Sequence, residues 1–172
     1  LAGELSKIPG VPPEGFVAEV NLAMLDWIRA LAAARFNGPV LILDYGHGAE
    51  DCFSPAHAGG SLRRYRGHHS DDRVLEDLGE CDLTAHVDFS ALAGAAANAG
   101  LEVLGYATQA QFLVNCGITE VLGEANVESA LHYAPLAAEA QKLLSPAEMG
   151  ELFKVLAVGF LPMRVVTVPL AP

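Results

Sequence analysis

Cysteine is scarce in this sequence. Its 172 residues include three cysteines, Cys52, Cys81 and Cys116, with no CxxC pair and no pair at zinc-ligand spacing. This pattern excludes a disulfide-rich scaffold and a zinc finger, and reduced thiols in the cytosol are its simplest explanation. Cys116 falls on a predicted apolar helix face, so we expect it in the core.

Basic residues are also few. Ten Lys and Arg stand against 21 Asp and Glu, which gives a net charge of −11 and argues against a nucleic-acid partner. No apolar run is long enough to span a bilayer, and no signal-peptide pattern opens the chain. Hydrophobic residues make up 52% and charged residues 18%, so the chain is not of the disordered class. We expect a bacterial cytoplasmic protein with no membrane partner.

Several common motifs are missing. The sequence contains no GxxxxGK[ST], no GxSxG, and no GxGxxG between a strand and a helix. It also lacks HxH, HxxxH and HxxEH, so it predicts no metal site. One basic stretch, SLRRYRGHH, stands out. It is either a solvated loop or a surface that binds an anion or an acidic partner.

The first half of the chain predicts a helix, a strand and a long loop. Apolar residues recur at spacings of three and four over residues 17–35, which favours a helix that the NGP triplet ends. Val40–Leu43 is a short apolar run, typical of a strand buried on both faces. Residues 46–83 show no sustained period, and a loop this long is usually functional or disordered.

The second half alternates helices and strands. Asp88 is a predicted N-cap for a helix that closes at Gly100, and a strand follows over residues 101–106. Thr108 is the predicted cap of the next helix, which Gly117 ends. Residues 126–143 are helical by composition, with a kink or interruption expected at Pro135.

A capping box then precedes the last strand. Ser145 is the expected N-cap, Pro146 the first helical residue and Glu148 the third. The last strand is predicted over residues 153–160. The tail beyond Pro162 is either an edge strand or disordered. Alternating helices and short apolar strands indicate an α/β protein, and three visible strands suggest that the sheet is incomplete.

Polar side chains gather where the strands end. Asp44, Tyr45 and His47 follow the first strand, and Tyr106 ends the second. In open α/β sheets ligands bind beyond the carboxyl ends of strands, so these residues are site candidates. The alternative is that the acids are only caps and turn formers. In the stretch DLTAHVDF a helix cap explains Asp88, whereas His86 is either a ligand-binding residue or a structural hydrogen-bond donor.

Four ordered segments carry a family resemblance. LILDYGH, LRRYRGHHSDD, CDLTAHVDFSALAGAAANAGLEVLGYATQAQFLVNCGI and SPAEMGELFKVLAVG resemble the C-terminal part of the MidA family, with a match from about Val17 to Pro162. These are S-adenosylmethionine-dependent methyltransferases, and the mitochondrial members are arginine methyltransferases that act in the assembly of respiratory complex I.

The resemblance implies the later part of a Rossmann-like methyltransferase sheet. The strands at residues 40–44, 101–106 and 153–160 would be the fifth, sixth and seventh of that sheet, the last two forming an antiparallel pair. Residues 17–162 would belong to the methyltransferase domain, with a helical cover at 107–152. Residues 1–16 would be a loop or linker and 163–172 a tail. The N-terminal half that binds S-adenosylmethionine would be absent from this chain, which alone would be inactive.

The resemblance and the strand-end position together suggest roles for single residues. The catalytic candidates are Asp44, His47 and Tyr45. Asp44 and His47 would orient a guanidinium and accept its proton, and Tyr45 would line the pocket with an aromatic face. The substrate or lid candidates are Arg63, Tyr65, His68, His86 and Asp88. Glu19 and Asn21 match the family pattern before the fifth strand and are weaker candidates for binding the cofactor.

The implied partner is a protein substrate, with a respiratory complex subunit as one candidate, and a homodimer stays open. Two alternatives also stay open. The chain could be a non-catalytic interaction or assembly module that kept the fold, or it could belong to a different Rossmann-like enzyme.

Overall fold

The computed structural model describes residues 14–124 and 130–160. The first helix in these ranges, α1, spans Leu22–Ala33, and the Asn21 side chain caps it by accepting a hydrogen bond from the Met24 amide at 3.0 Å. The prediction that this helix starts at residue 17 is wrong. Val17 instead forms an isolated parallel bridge with Gly59, and the residues between Val17 and the start of α1 are not helical.

A four-stranded sheet forms the centre of the fold, in the order β5–β1–β7–β6. Strand β1 (Val40–His47) runs antiparallel to β7 (Phe153–Gly159), which in turn runs antiparallel to β6 (Glu102–Thr108). The short strand β5 (Val87–Asp88) pairs in parallel with the end of β1. The three strands that the sequence predicts are therefore confirmed, each extended or trimmed by a few residues.

One face of β1 is open. Leu41 and Leu43 are 45% and 47% exposed, so the expectation of a strand buried on both faces is wrong. Ile42 points the other way and packs against the core. Apolar composition alone does not distinguish the two cases, because an uncovered face can carry leucine as readily as a covered one.

Helix α3 (Phe89–Asn98) lies against α1 and the sheet. The Asp88 side chain caps it by accepting from the Ala91 amide at 3.0 Å, and Gly100 ends it with a φ of +86°; both predictions are confirmed. The packed side chains form one core, in which each fully buried Leu or Phe contributes about 1.5–3 kcal/mol. Its buried members are Ile28, Ala32, Phe89, Leu92, Ala96, Leu101, Leu156 and Val158.

Residues 46–83 are ordered, contrary to the prediction of one long loop. A short helix, α2 (Ala49–Cys52), and a 3₁₀ turn (Pro55–His57) lead into a second sheet. That sheet has the order β3–β2–β4, with β2 at Arg63–Arg66, β3 at His69–Asp71 and β4 at Asp82–Thr84. Because its strands are short and mostly polar, they leave no apolar alternation in the sequence.

Within residues 109–124 and 130–152, four helices lie between β6 and β7. They are α4 (Gln109–Asn115), α5 (Ile118–Glu124), α6 (Ala130–Leu144) and α7 (Met149–Leu152). Pro135 lies inside α6 without ending it, and residues 125–129 of the predicted helix fall outside the described residues. None of the helices in the described ranges has the length and apolarity to cross a membrane.

One of the two helix caps predicted in this region is confirmed and the other is wrong. The Thr108 side chain caps α4, as predicted, by accepting from the Gln111 amide. Ser145 caps no helix. Its carbonyl instead accepts from the amides of Glu148 and Gly150, and α7 begins only at Met149. Cys116 is exposed, so its predicted place in the core is wrong too.

Candidate functional site

The polar residues at the end of β1 do not all meet. Side chains alternate along a strand, so Asp44 and His47 leave β1 on opposite faces. Asp44 accepts a hydrogen bond from the Tyr45 amide at 2.8 Å and lies in a groove beside Trp27. The Tyr45 ring packs on Phe153 with centroids 4.0 Å apart, on the other face. The predicted catalytic group of Asp44, Tyr45 and His47 is therefore split between two surfaces.

Three histidines converge behind Tyr45. The ring of His47 lies 5.1 Å from that of His57 and 5.0 Å from that of His86, measured between centroids. One ring nitrogen from each histidine lies within 4.8 Å of those of the other two. His57 comes from the 3₁₀ turn, and His86 directly precedes β5, whose parallel pairing with β1 places His86 beside His47.

Burial and nearby positive charges lower the pKa of two of these rings, which favours their neutral form. Burial lowers the pKa of His47 below its ordinary 6.5, and the nearby His86, Lys154 and His57 lower it further. Burial lowers the pKa of His86 as well, with His57 as the next cause. Neutral imidazoles have a free lone pair on one ring nitrogen, so they can accept a proton or bind a metal.

Glu19 anchors the backbone next to this cluster. Its carboxylate accepts from the Ser61 amide at 2.9 Å, the Ser61 hydroxyl at 3.1 Å and the Leu62 amide at 3.1 Å. The Ser61 hydroxyl in turn accepts from the His86 amide at 2.9 Å. Glu19 and Asn21 thus have structural roles that account for them, and cofactor binding by either residue stays a prediction.

A cleft of about 730 Å³ opens between the end of β1 and the second sheet. Several of the predicted site residues line it. Asp82, at the start of β4, adds a carboxylate that the sequence analysis missed. The predicted residues on its wall are Tyr45, Arg63, Tyr65, His68 and His86. Asp44, His47 and Asp88 do not line this cleft.

The basic stretch is folded into the second sheet and is not a solvated loop. Arg64 is 3% exposed and binds Asp71 through two hydrogen bonds, of 2.7 and 3.1 Å, with Asp77 at 3.1 Å. Arg66 binds Asp77 and Glu80. These two arginines are therefore neutralised within the sheet, and Arg63 is the arginine of this stretch that lines the cleft.

Two further candidates have structural explanations. The Asp88 side chain caps α3, the alternative that the sequence left open. Tyr106 lies in β6 with its ring 5.5 Å from that of Phe89, on the core side of the sheet. Burial raises the pKa of Tyr106, which keeps its phenol protonated.

No local signal in the sequence marks His57, Ser61 or Asp82 as site residues. His57 stands alone in the stretch SPAHAGG, and its neighbours in the fold are far from it along the chain. Ser61 is recognisable only once Glu19 and His86 are seen on either side of its hydroxyl.

Similarity to known proteins supports the sequence resemblance. The chain is 38% identical to the "Protein arginine methyltransferase NDUFAF7, mitochondrial" of Danio rerio over 128 residues, which cover 73% of this chain and 28% of that protein. It is 35% identical to the Xenopus laevis protein of the same name over 130 residues, 72% of this chain and 26% of that one. The chain thus spans about a quarter of the length of these relatives.

Two crystal structures from Burkholderia thailandensis share the fold. A native structure has a TM-score of 0.86 and 39% identity, over 92% of this chain and 42% of that one. A superfamily member bound to S-adenosyl-homocysteine has a TM-score of 0.85 and 39% identity, over 92% of this chain and 40% of that one.

Residues 2–107 match the family described as "Putative S-adenosyl-L-methionine-dependent methyltransferase". The cofactor of this family is S-adenosylmethionine, in agreement with the bound product in the neighbouring structure. More than half of the chain lies within the match, and the relatives named above agree with it. The chain belongs to this MidA-like family of S-adenosylmethionine-dependent methyltransferases.

Proposed function

We propose that this chain is the C-terminal part of a protein arginine N-methyltransferase, and that the cleft at the end of β1 binds the guanidinium of the acceptor. The observation that carries the proposal is the presence of two tyrosines and one carboxylate on the wall of that cleft. Tyr45, Tyr65 and Asp82 all line it. The name of the Danio rerio relative, a protein arginine methyltransferase, points to the same acceptor.

The cleft has the chemistry that a guanidinium needs. Aromatic faces attract cations, so Tyr45 and Tyr65 suit the flat, charged group. A carboxylate can accept two parallel N–H hydrogen bonds from a guanidinium, and Asp82 supplies a carboxylate. When bound, S-adenosylmethionine supplies a methyl group to the acceptor nitrogen while the carbon–sulfur bonding electrons remain on sulfur. The acceptor then loses a proton, which Asp82 or His86 can take.

The described residues fit only part of the cofactor. A groove of about 460 Å³ beside α1 is mainly apolar, with Trp27, the Asn21 amide and the Asp44 carboxylate on its wall. An aromatic ring with an attached sugar hydroxyl suits such a surface. Glu19 has its oxygens committed to Ser61 and Leu62, so we assign the other contacts of the cofactor to sequence outside the described residues.

The sheet supports the proposed place of the chain in a larger domain. Strand β7 lies antiparallel between β1 and β6, as expected if these are the fifth, seventh and sixth strands of a methyltransferase sheet. The helices between β6 and β7 would then be the cover over residues 107–152. Because the chain covers 28% of its Danio rerio relative, we propose that it needs further sequence for activity.

Several finer roles belong to the same proposal. Asp44 would act from the cofactor side, since it faces the groove beside Trp27. The acceptor would be a protein, and by the family resemblance a subunit of a respiratory complex, in a bacterial cytoplasm. The alternative of a non-catalytic module is not favoured, because a neighbouring structure with 39% identity holds S-adenosyl-homocysteine.

The test uses this chain and the same chain with the sequence encoded upstream of Leu1. Calorimetry with S-adenosyl-homocysteine should show binding only to the extended protein. Transfer of a labelled methyl group to an arginine peptide, but not to its lysine counterpart, should follow the same pattern. Binding to neither protein would overturn the proposal and favour the non-catalytic module.

Asp82→Asn in the extended protein tests the cleft. It should lower kcat/KM for the arginine peptide about 10- to 100-fold, the effect of losing a charged hydrogen-bond acceptor. Affinity for S-adenosyl-homocysteine should be unchanged. Asp72→Asn, at an exposed position between β3 and β4, is the matched control. Equal turnover in both variants would remove Asp82 from the acceptor site.

A further inference from the structure

We propose that His47, His57 and His86 form a binding site for a divalent transition metal ion of the zinc class. This inference goes beyond the proposed methyl transfer, because it concerns a separate ligand and a separate measurement. It goes against the sequence-based expectation of no metal site. That expectation depended on short histidine spacings, whereas these three residues are spread over positions 47 to 86.

The first argument is the geometry of the three rings. Their ligand atoms lie within 4.8 Å of one another. A zinc ion with nitrogen ligands at about 2.0–2.1 Å in a tetrahedron holds those nitrogens roughly 3.4 Å apart. We expect rotation of the side chains to bring the three nitrogens from the first spacing to the second when the ion binds.

The second argument is that the tautomer of one ring is already set. Nδ1 of His57 lies 2.7 Å from the carbonyl oxygen of Asp51 and 3.3 Å from the Ser54 hydroxyl. A carbonyl oxygen only accepts, so Nδ1 carries the hydrogen and Nε2 keeps its lone pair. A ligand histidine in a metal site is commonly oriented by just such a donation to a backbone carbonyl.

The third argument is that three separate elements hold the histidines in place. His47 lies at the end of β1, where it is the register partner of Asp88 in β5. The backbone of His86 is fixed through the chain of hydrogen bonds that runs from its amide to Ser61 and Glu19. Histidine sites that bind a metal need this pre-organisation, since mobile ligands lose affinity on being ordered.

The fourth argument concerns what lies around the rings. In the described part of the chain, the ring nitrogens of His47 and His86 make no hydrogen bond to another residue, so neither ring has a structural partner that explains it. A small cavity of about 20 Å³ lies against His57 and His86, about the room of one water molecule. Three histidines with a fourth position left for water are a common zinc ligand set.

The ion would cross-link the end of β1, the 3₁₀ turn and the residue before β5. Its ligands would then be unavailable as proton acceptors, which leaves Asp82 as the group in the cleft for the guanidinium. The site would therefore position the wall of the acceptor cleft, because His86 belongs to both.

The test is a titration of the untagged chain, stripped with a chelator, with Co²⁺ and then with Zn²⁺. Co²⁺ in a tetrahedral nitrogen site absorbs visible light, so we expect absorption bands that saturate at one equivalent and disappear when Zn²⁺ is added. Zn²⁺ should also raise the melting temperature, since a ligand that binds only the folded state stabilises it.

Variants assign the ligands. His57→Ala and His86→Ala should each lower the affinity for Co²⁺ at least tenfold. His68→Ala, on the exposed turn between β2 and β3, and His69→Ala, at the exposed start of β3, should leave it unchanged. Circular dichroism of each metal-free variant shows whether it folds, and His57→Gln replaces His57→Ala if it does not. Absence of saturable Co²⁺ bands, or their loss in the His68 and His69 variants alone, would overturn the proposal.

Discussion

Gly46 lies so close to Val87 that no side chain fits between them. The two residues are register partners in the parallel pairing of β1 and β5. A β-carbon on Gly46 would collide with the carbonyl oxygen of Val87 and would lie 2.8 Å from the Phe89 ring. This close approach places His86 beside His47, so the glycine between Tyr45 and His47 makes the histidine cluster possible.

Gly46→Ala should therefore destabilise the protein by about 1–3 kcal/mol, the cost of overpacking a filled site. Gly94→Ala is the matched control, because a β-carbon there meets nothing within 4 Å and Gly94 is exposed in helix α3. The control should stabilise by about 0.5–1 kcal/mol, since alanine is the better helix former. Urea unfolding measures both changes, and a neutral Gly46→Ala would contradict the close approach.

Local signals predict part of this fold well. Asp88 and Thr108 are recognisable as helix caps because the side chain and the amide that it binds are three residues apart. Strand β6 is recognisable because its residues alternate and then end, and β7 because it is mostly apolar. Ser145 shows that a local capping pattern does not always start a helix. Its capping pattern is present, but the chain turns through the amide of Gly150 and the helix starts later.

The site is harder to predict because distant residues form it. His47, His57 and His86 meet only through the pairing of β1 with β5 and through the 3₁₀ turn. The second sheet is also not predictable from the sequence. Ion pairs such as Arg64 with Asp71 stabilise it, and it has no apolar face that would give an alternating pattern. Charged residues without a period look like a loop in any sequence.

Arg64 should be essential for the order of that second sheet. Its planar guanidinium holds Asp71 through two parallel hydrogen bonds, and an ammonium group cannot reproduce this fork. We expect Arg64→Lys to speed amide hydrogen exchange over residues 63–84 and to leave the core helices unchanged. Arg63→Lys, one residue earlier on the same strand, is the control. Equal exchange in the two variants would show that the fork does not hold the sheet.

The cysteines should differ in reactivity. Burial raises the pKa of the Cys52 thiol to about 11, and the Asp88 carboxylate raises it too. At pH 8 about one Cys52 in a thousand is then a thiolate, the reactive form. Cys116 is exposed. Iodoacetamide should therefore label Cys116 well before Cys52 in the folded protein, as peptide mass spectrometry can follow.

The same reagent in urea should label the two cysteines at similar rates, which is the control for intrinsic reactivity. Rapid labelling of Cys52 in the folded state would contradict the burial that raises its pKa.

Glu19 should give the protein a stability that depends on pH. Burial raises its pKa, but the amides of Ser61 and Leu62 and the Ser61 hydroxyl outweigh this, and the pKa ends below the ordinary 4.5. A group with a lowered pKa stabilises the fold above its unfolded value and loses that contribution as the pH falls through its folded value.

Glu19→Gln should thus lower the free energy of unfolding by about 1–2 kcal/mol at pH 7, the effect of weakened hydrogen bonds at a part-exposed carboxylate. The difference from the unaltered protein should shrink as the pH drops below 4.5, because the protonated carboxyl resembles the amide. Glu102→Gln, on an exposed strand position, should show no such trend. Thermal unfolding between pH 3 and 8 measures this difference. A difference that does not change with pH would show that the Glu19 carboxylate does not stabilise the fold through its hydrogen bonds to Ser61.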